Sequence, residues 1–117
     1  MATVDAKDAQ DNKLMAILAY LGILVIVPIL AAKESPFARF HANQGLILFI
    51  VYIAAWVVFL ILGITLALIA PFLASILSIL SLVVYLGLFV LVVLGIINAA
   101  KGEAKELPII GKYTLLK

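Results

Sequence analysis

The sequence of 117 residues contains no cysteine, one histidine, one arginine and few charged residues of either sign. The lack of cysteine excludes disulfides, thiolate metal sites and cysteine nucleophiles. Charged residues make up 12% of the chain and hydrophobic residues 68%, whereas a soluble domain of this size needs far more polar surface. The net charge of +2 is too small to indicate a nucleic-acid partner. The composition therefore predicts an all-α integral membrane protein whose surroundings are the lipid bilayer.

Residues 45–100 form a long apolar stretch without any Asp, Glu, Lys, Arg or His. About 20 apolar residues cross a bilayer, so the stretch predicts two spans. One begins in the polar residues 34–45 and ends near residue 70, and the other covers residues 74–100. Residues 14–32 are apolar too, and they predict a further span that precedes these two. The sequence thus predicts three transmembrane helices within residues 14–100, between a polar N-terminal tail (1–13) and an interfacial, amphipathic C-terminal tail (101–117).

The distribution of positive charge predicts the orientation of these spans. Three spans place the loop after the first span and the C-terminal tail on one side, which receives Lys33, Arg39, Lys101, Lys105, Lys112 and Lys117. The other side receives only Lys7 and Lys13, and three aspartates offset them. Because basic loops stay on the cytoplasmic side, the N-terminus is predicted outside and the C-terminus inside. We expect a multi-pass protein of a prokaryotic inner membrane.

The stretch "ESPFARFHANQG", residues 34–45, is the polar island between the predicted first two spans. Ser35 followed by Pro36 predicts a helix start at the membrane interface, with Ser35 as the N-cap. The candidate interaction residues in this helix start are Arg39, Phe40, His41, Asn43 and Gln44.

His41 has no second histidine and no carboxylate at a spacing suited to metal binding or acid–base chemistry. The sequence therefore predicts no catalytic residue, no metal site and no cofactor. A structural role is favoured, in which His41 bonds a neighbouring helix end or the C-terminal tail. We also predict that the tail packs on the polar island to form one cytoplasmic-face unit.

The predicted third helix carries a stripe of hydroxyl groups along one face, and two small residues follow further along it. The small residues let helices approach closely, and the hydroxyl groups can hydrogen-bond across a helix interface. We predict helix packing, within the bundle or between copies, and a polar conduction path is the alternative. The residues concerned are Ser75, Ser78, Ser81 and Tyr85, followed by Gly95 and Ala99.

Three segments together resemble a known family: "AYLGILVIVPIL", then "SPFARFHANQGL", then "INAAKGEAKELPIIGKY". The chain resembles a widespread small prokaryotic membrane family of unknown function, related to the twenty-kilodalton Tic component of chloroplast protein import. It is similar in the same three places to magnetosome membrane proteins of the MamF and MmsF type. The resemblance implies a small helical membrane protein without enzymatic activity. It further implies a link with preprotein translocation through the chloroplast relatives, or with the control of mineral crystals through the magnetosome relatives.

Three classes of function follow from these observations. The first is a non-enzymatic structural or accessory subunit that assembles with itself, as a homo-oligomer, or with a larger membrane protein complex. The alternative is a channel or protein-translocation component formed by oligomerisation, with the serine stripe or the island lining a path. The third is an enzyme acting on lipid or peptide, in which His41 would work with Asn43, Gln44 and a tyrosine. Because that set is unusual for acid–base chemistry, we predict no enzyme.

Overall fold

The computed structural model describes residues 5–116, and these residues are helical or in turns and coil. Two long helices, Pro36–Ile69 and Pro71–Ala100, follow one another as an antiparallel hairpin that turns at Ala70. The molecule measures 56 × 22 × 21 Å. The helical elements in chain order are α1 (Ala6–Asp11), α2 (Lys13–Leu18), a 3₁₀ turn (Gly22–Val25), α3 (Ile26–Ala31), α4 (Pro36–Ile69) and α5 (Pro71–Ala100).

Helices α4 and α5 are long and apolar enough to cross a membrane. With 34 and 30 residues they extend about 51 Å and about 45 Å at 1.5 Å per residue. The full thickness of a bilayer with its headgroups is about 40–45 Å. Helix α4 begins as predicted, because the Ser35 side chain accepts a hydrogen bond from the Ala38 backbone and Pro36 is the first helical residue. The prediction of an all-α fold is therefore confirmed for the described residues, and α4 and α5 are two long apolar helices that could span a membrane.

The predicted first span, residues 14–32, is not one continuous helix. It consists of α2, the 3₁₀ turn and α3, which contain 6, 4 and 6 residues, so none of them crosses a bilayer. The interruption lies at Leu21 and Gly22, where Gly22 has a φ of +64° that glycine adopts without steric cost. The chain folds back at this point, and α2 and α3 both pack against α4. We call residues 13–32 the folded-back segment; two long apolar helices stand where three spans were predicted.

The N-terminal residues lie at the same end of the hairpin as the C-terminal tail. The Asp8 carboxylate accepts hydrogen bonds from the Ser35 hydroxyl (2.7 Å) and from the Phe37 backbone N–H (3.0 Å). Ala9 lies within contact distance of the position that a Cβ would take at Gly102. This differs from the predicted topology, which placed residues 1–13 on the side opposite the tail. We call α1, the polar island and residues 101–116 together the polar cap.

The buried core is confined to the capped end of the hairpin. The largest fully buried side chains include Phe37, His41 and Gln44, all in the first turns of α4. In contrast, α5 buries only Gly95 and Ala99, close to its C-terminal end. Most apolar side chains of the remaining hairpin are exposed, up to 81% at Leu68 near the turn, and the others are partly buried. Such a surface needs an apolar solvent, which agrees with placing the hairpin in lipid.

Candidate functional site

His41 is fully buried at the centre of the polar cap. Its Nδ1 lies 2.6 Å from the Tyr20 hydroxyl, and its Nε2 lies 2.8 Å from the backbone carbonyl oxygen of Glu103. Because a carbonyl oxygen only accepts, Nε2 carries the proton and Nδ1 accepts a hydrogen bond from Tyr20. The rings of Phe37 and Phe40 contact the imidazole edge-on, at centroid distances of 4.8 and 5.2 Å. The neutral imidazole thus joins the folded-back segment, α4 and the C-terminal tail.

Tyr20 reaches His41 through a gap between α4 and α5 that two glycines leave open. A Cβ at Gly95 would overlap the Tyr20 ring, and a Cβ at Gly45 would overlap the backbone carbonyl of Ala19. Tyr20 is 3% exposed, and burial raises the pKa of its hydroxyl group, which therefore keeps its proton and donates. The Tyr20 hydroxyl can reach His41 only because Gly95 and Gly45 let the folded-back segment approach α5 and α4 closely.

Glu103 is brought to His41 by the way α5 ends. Gly102 has a φ of +73°, and its N–H donates to the Ala99 carbonyl at 3.1 Å. The Glu103 N–H donates to the Asn98 carbonyl at 2.9 Å. These two bonds form a Schellman motif, in which a glycine in the left-handed conformation reverses the chain after a helix. The reversal leaves the Glu103 carbonyl facing α4, where His41 donates to it.

Gln44 and Asn43 hold the rest of the tail through side-chain amides. Gln44 accepts from the Leu107 N–H at 3.0 Å and donates to the Gly111 carbonyl at 3.2 Å. Asn43 accepts from the Leu115 N–H at 2.9 Å and donates to the carbonyls of Leu116 and Arg39. The hypothesis that tail and polar island pack together is therefore confirmed. The polar side-chain groups of His41, Asn43 and Gln44 are all engaged within the chain.

Asp8 is a structural part of the cap that sequence reasoning missed. Besides its bonds to Ser35 and Phe37, its carboxylate accepts from the Asn12 side chain at 2.9 Å. A carboxylate at the first turn of α4 satisfies a free backbone N–H and opposes the positive end of the helix dipole. Asp8 and Phe37 are 29 residues apart, and no local pattern relates them.

The remaining candidate residues lie at three levels of the molecule. Arg39 is half-buried in the cap and Phe40 lies beside it against His41. Ser75, Ser78 and Ser81 donate to carbonyls of their own helix, those of Pro71, Ala74 and Ser78. The Tyr85 ring lies 5.7 Å from that of Tyr52 and 5.9 Å from that of Phe59, both on α4. Gly95 and Ala99 are buried where α5 meets the folded-back segment.

The chemistry of the cap is that of a fully paired polar network. Both imidazole nitrogens of His41 have partners, and no buried side-chain nitrogen or oxygen of the described residues lacks a hydrogen bond. Within residues 5–116, no group of three or more His, Cys, Asp or Glu side chains is placed to hold a metal ion. Satisfied buried networks fix one arrangement of segments, which is what this one does.

Comparison with known proteins places the chain in a family. The model of the magnetosome magnetite crystal formation protein family, MamF and MmsF, matches residues 11–114. The chain belongs to this family. The matched range includes the folded-back segment, both long helices and nearly all of the tail. The family resemblance to magnetosome proteins predicted from the sequence is confirmed, whereas nothing supports a relation to the chloroplast import component.

Two MamF proteins are similar to this chain over most of their length. The magnetosome protein MamF of Paramagnetospirillum magneticum is 35% identical over 103 residues, which covers 88% of this chain and 82% of the relative. That of Magnetospirillum gryphiswaldense is 31% identical over 116 residues, covering 97% and 94%. The magnetosome protein MmsF of P. magneticum is 47% identical over 34 residues, 29% of this chain and 32% of the relative. No solved structure matches the chain.

Proposed function

We propose that the protein is a non-enzymatic accessory protein of a magnetosome membrane, which supports magnetite crystal formation by organising membrane proteins and not by binding the mineral. One observation carries this proposal. Every charged residue of residues 5–116 belongs to the capped end of the molecule, whereas the turn at the other end is formed by Ile69, Ala70, Pro71 and Phe72. Iron and iron minerals are held by carboxylate, imidazole or thiolate groups, and this turn offers none of them.

The charge distribution favours one orientation of the hairpin. Basic residues lie in or beside the polar island and in both terminal segments, so the polar cap belongs on the cytoplasmic side. The uncharged turn then faces the interior of the compartment. We therefore propose a two-span topology with residues 5–12 and the C-terminal tail both cytoplasmic. This replaces the three-span proposal, since the folded-back segment enters and leaves on the capped side.

Labelling of single cysteines tests this placement, and the chain is well suited because it contains none of its own. Lys7→Cys, Ala70→Cys and Lys112→Cys would be treated with a membrane-impermeant maleimide in intact spheroplasts and in inverted vesicles. We expect Lys7→Cys and Lys112→Cys to react only in inverted vesicles and Ala70→Cys to react, if at all, only in spheroplasts. Reaction of the first two on opposite sides would restore the three-span topology.

The accessory role is tested in a magnetosome-forming host that lacks its own members of the family. The full chain should restore crystal size, measured by electron microscopy. Ala70→Ser changes the compartment-facing turn only and should restore size equally well. Asn43→Ala combined with Gln44→Ala releases the tail and should fail, although the protein still reaches the membrane. A failing turn variant and a functional tail variant would contradict the proposal.

Assembly with copies of itself or with a larger complex is part of the proposal. The exposed apolar surface of the hairpin and of Ile109, Tyr113 and Leu115 in the tail supports it. Extraction in nanodiscs followed by mass analysis would identify the companions. The alternative function is a channel formed by oligomerisation, favoured by the hydroxyl groups of the serine stripe. Ion flux through proteoliposomes holding the pure protein would establish that alternative, and impermeable liposomes would exclude it.

A further inference from the structure

An apolar pocket of about 310 Å³ lies between α4, α5 and the bend of the folded-back segment. Sites for small molecules generally measure about 300–1,000 Å³, so the pocket is large enough for part of a ligand. The bend at Tyr20 and Gly22 closes it toward the polar cap. Its walls include Leu48 and Tyr52 from α4 together with Tyr85 and Phe89 from α5.

Two hydroxyl groups of the pocket lack partners in the protein. The side-chain polar groups that line it are the hydroxyls of Tyr20, Tyr52 and Tyr85, and Tyr20 bonds His41. Within residues 5–116, the hydroxyls of Tyr52 and Tyr85 have no hydrogen-bond partner. The serine and threonine hydroxyls of the same hairpin all bond carbonyls of their own helices. A tyrosine hydroxyl cannot reach its own helix in this way, so it needs an external acceptor in lipid.

The depth of the two tyrosines narrows the class of ligand. Counted at 1.5 Å per residue, Tyr52 lies about 20 Å from Arg39 and Tyr85 about 24 Å from Lys101 along their helices. In a bilayer of about 40–45 Å this is close to the middle. The ester and phosphate oxygens of phospholipids stay at the surface, so phospholipids offer only hydrocarbon at this depth. Among membrane lipids, an acceptor oxygen at mid-depth indicates an uncharged lipid that resides in the core.

We propose that this pocket binds an uncharged isoprenoid lipid with two carbonyl oxygens, of the prenyl-quinone class. The carbonyls accept hydrogen bonds from the Tyr52 and Tyr85 hydroxyls, whose rings lie 5.7 Å apart. The ring packs on aromatic side chains such as Phe89, and the prenyl tail leaves the pocket sideways into the bilayer. The inference rests on the membrane placement of the hairpin proposed above, but not on the role in crystal formation.

Trp56 provides a direct readout, because it is the only tryptophan and lies one helical turn after Tyr52. The full chain in phospholipid nanodiscs would be titrated with a ubiquinone of short prenyl chain while Trp56 fluorescence is recorded. Diffusing quinone quenches in proportion to its concentration, whereas a bound quinone adds a saturable component. We expect a saturable component in the wild-type protein. Tyr52→Phe combined with Tyr85→Phe should weaken its apparent affinity about tenfold or more, since two hydrogen bonds are lost.

Ser78→Ala is the matched control, since Ser78 is an exposed hydroxyl of α5 that bonds Ala74 and does not line the pocket. It should leave the saturable component unchanged. Purely proportional quenching in the wild-type protein, or a saturable component of equal affinity in the double variant, would overturn the proposal. Circular dichroism verifies that the double variant keeps its helices. The cysteine labelling described above tests the membrane placement by itself, so a failed placement and a failed quinone site are distinguishable.

Discussion

At the residue scale, the polar island is a set of side chains that hold other parts of the same chain. His41 links Tyr20 to Glu103. The Gln44 side chain hydrogen-bonds the backbone N–H of Leu107 and the backbone carbonyl of Gly111. The absence of a carboxylate at a suitable spacing from His41 predicted a structural role. In the structure its two nitrogens bond the Tyr20 hydroxyl and the Glu103 carbonyl, and both contacts are within the chain. Whether Arg39, Phe40, His41, Asn43 and Gln44 also meet another protein stays a prediction.

His41→Ala should lower the free energy of unfolding by roughly 3 kcal/mol. The substitution leaves the Tyr20 hydroxyl and the Glu103 carbonyl unpaired in a buried place and opens a cavity between aromatic rings. Thermal unfolding in a mild detergent would measure the change. Asn98→Ala is the control, since Asn98 makes a single 3.4 Å bond to the Lys105 carbonyl and should change stability little. Equal melting temperatures of the two variants would show that the contacts of the His41 imidazole do not stabilise the fold.

At the scale of elements, close approaches between segments explain which glycines the fold needs. Gly45 and Gly95 sit where the folded-back segment crosses α4 and α5, whereas Gly63 and Gly87 have open space around them. The folded-back segment is kept from extending into a span by this crossing and by the break at Gly22. Its short pieces would gain little from helix propensity alone and are stabilised by packing.

Gly45→Ala should destabilise the protein by about 2 kcal/mol or more, since the added methyl group overlaps the Ala19 carbonyl and forces the segments apart. Gly63→Ala adds the same methyl group to the same helix at a site with nothing within 4 Å. It should leave stability unchanged or raise it by up to about 1 kcal/mol through helix propensity. Unfolding of both variants in the same detergent would compare them. A harmless Gly45→Ala would mean that the folded-back segment is not packed against α4.

At the scale of the whole molecule, the capped end has a packed core and carries the charged groups, whereas the rest of the hairpin exposes apolar side chains. The cap is assembled from three segments far apart in the chain, and its buried groups are paired. The hairpin has almost no core of its own and depends on the bilayer or on partners to cover it. The proposed lipid site belongs to the hairpin, whereas the proposed assembly uses the hairpin together with the exposed apolar residues of the tail, and the cap is the end proposed to face the cytoplasm.

Gln44→Leu should detach the C-terminal tail without unfolding the hairpin. The variant removes two buried hydrogen bonds to the tail, each worth about 1 kcal/mol. Their loss raises the population of the detached tail, so proteolytic cleavage of the tail should be accelerated by on the order of tenfold. Limited trypsin digestion in nanodiscs, with cleavage after Lys105 and Lys112 followed by mass spectrometry, would measure this. Gln10→Leu changes an exposed glutamine of α1 and should leave the cleavage rate unaltered. A rate that Gln44→Leu leaves unaltered would mean that other contacts suffice to hold the tail.

The sequence by itself determined the class of protein and, to within three residues, the ends of the long helices. Hydropathy averages the apolar character of residues over a window of the sequence, and that of residues 45–100 indicates helices suited to lipid. Ser35 with Pro36 at the start of α4 acts through hydrogen bonds to backbone groups a few residues away, so the local sequence pattern was sufficient. The bonds of Gly102 at the end of α5 are equally local.

Only the tertiary structure decided the course of residues 13–32 and the partners of the polar groups. Hydropathy cannot distinguish a span from a segment that folds back, because both are composed of apolar residues. The difference lies in contacts with residues distant in the chain, such as Tyr20 against Gly95, and in the break at Gly22. Asp8 and Glu103 reach the first turns of α4 from 29 and 62 residues away, distances at which no sequence period relates two positions.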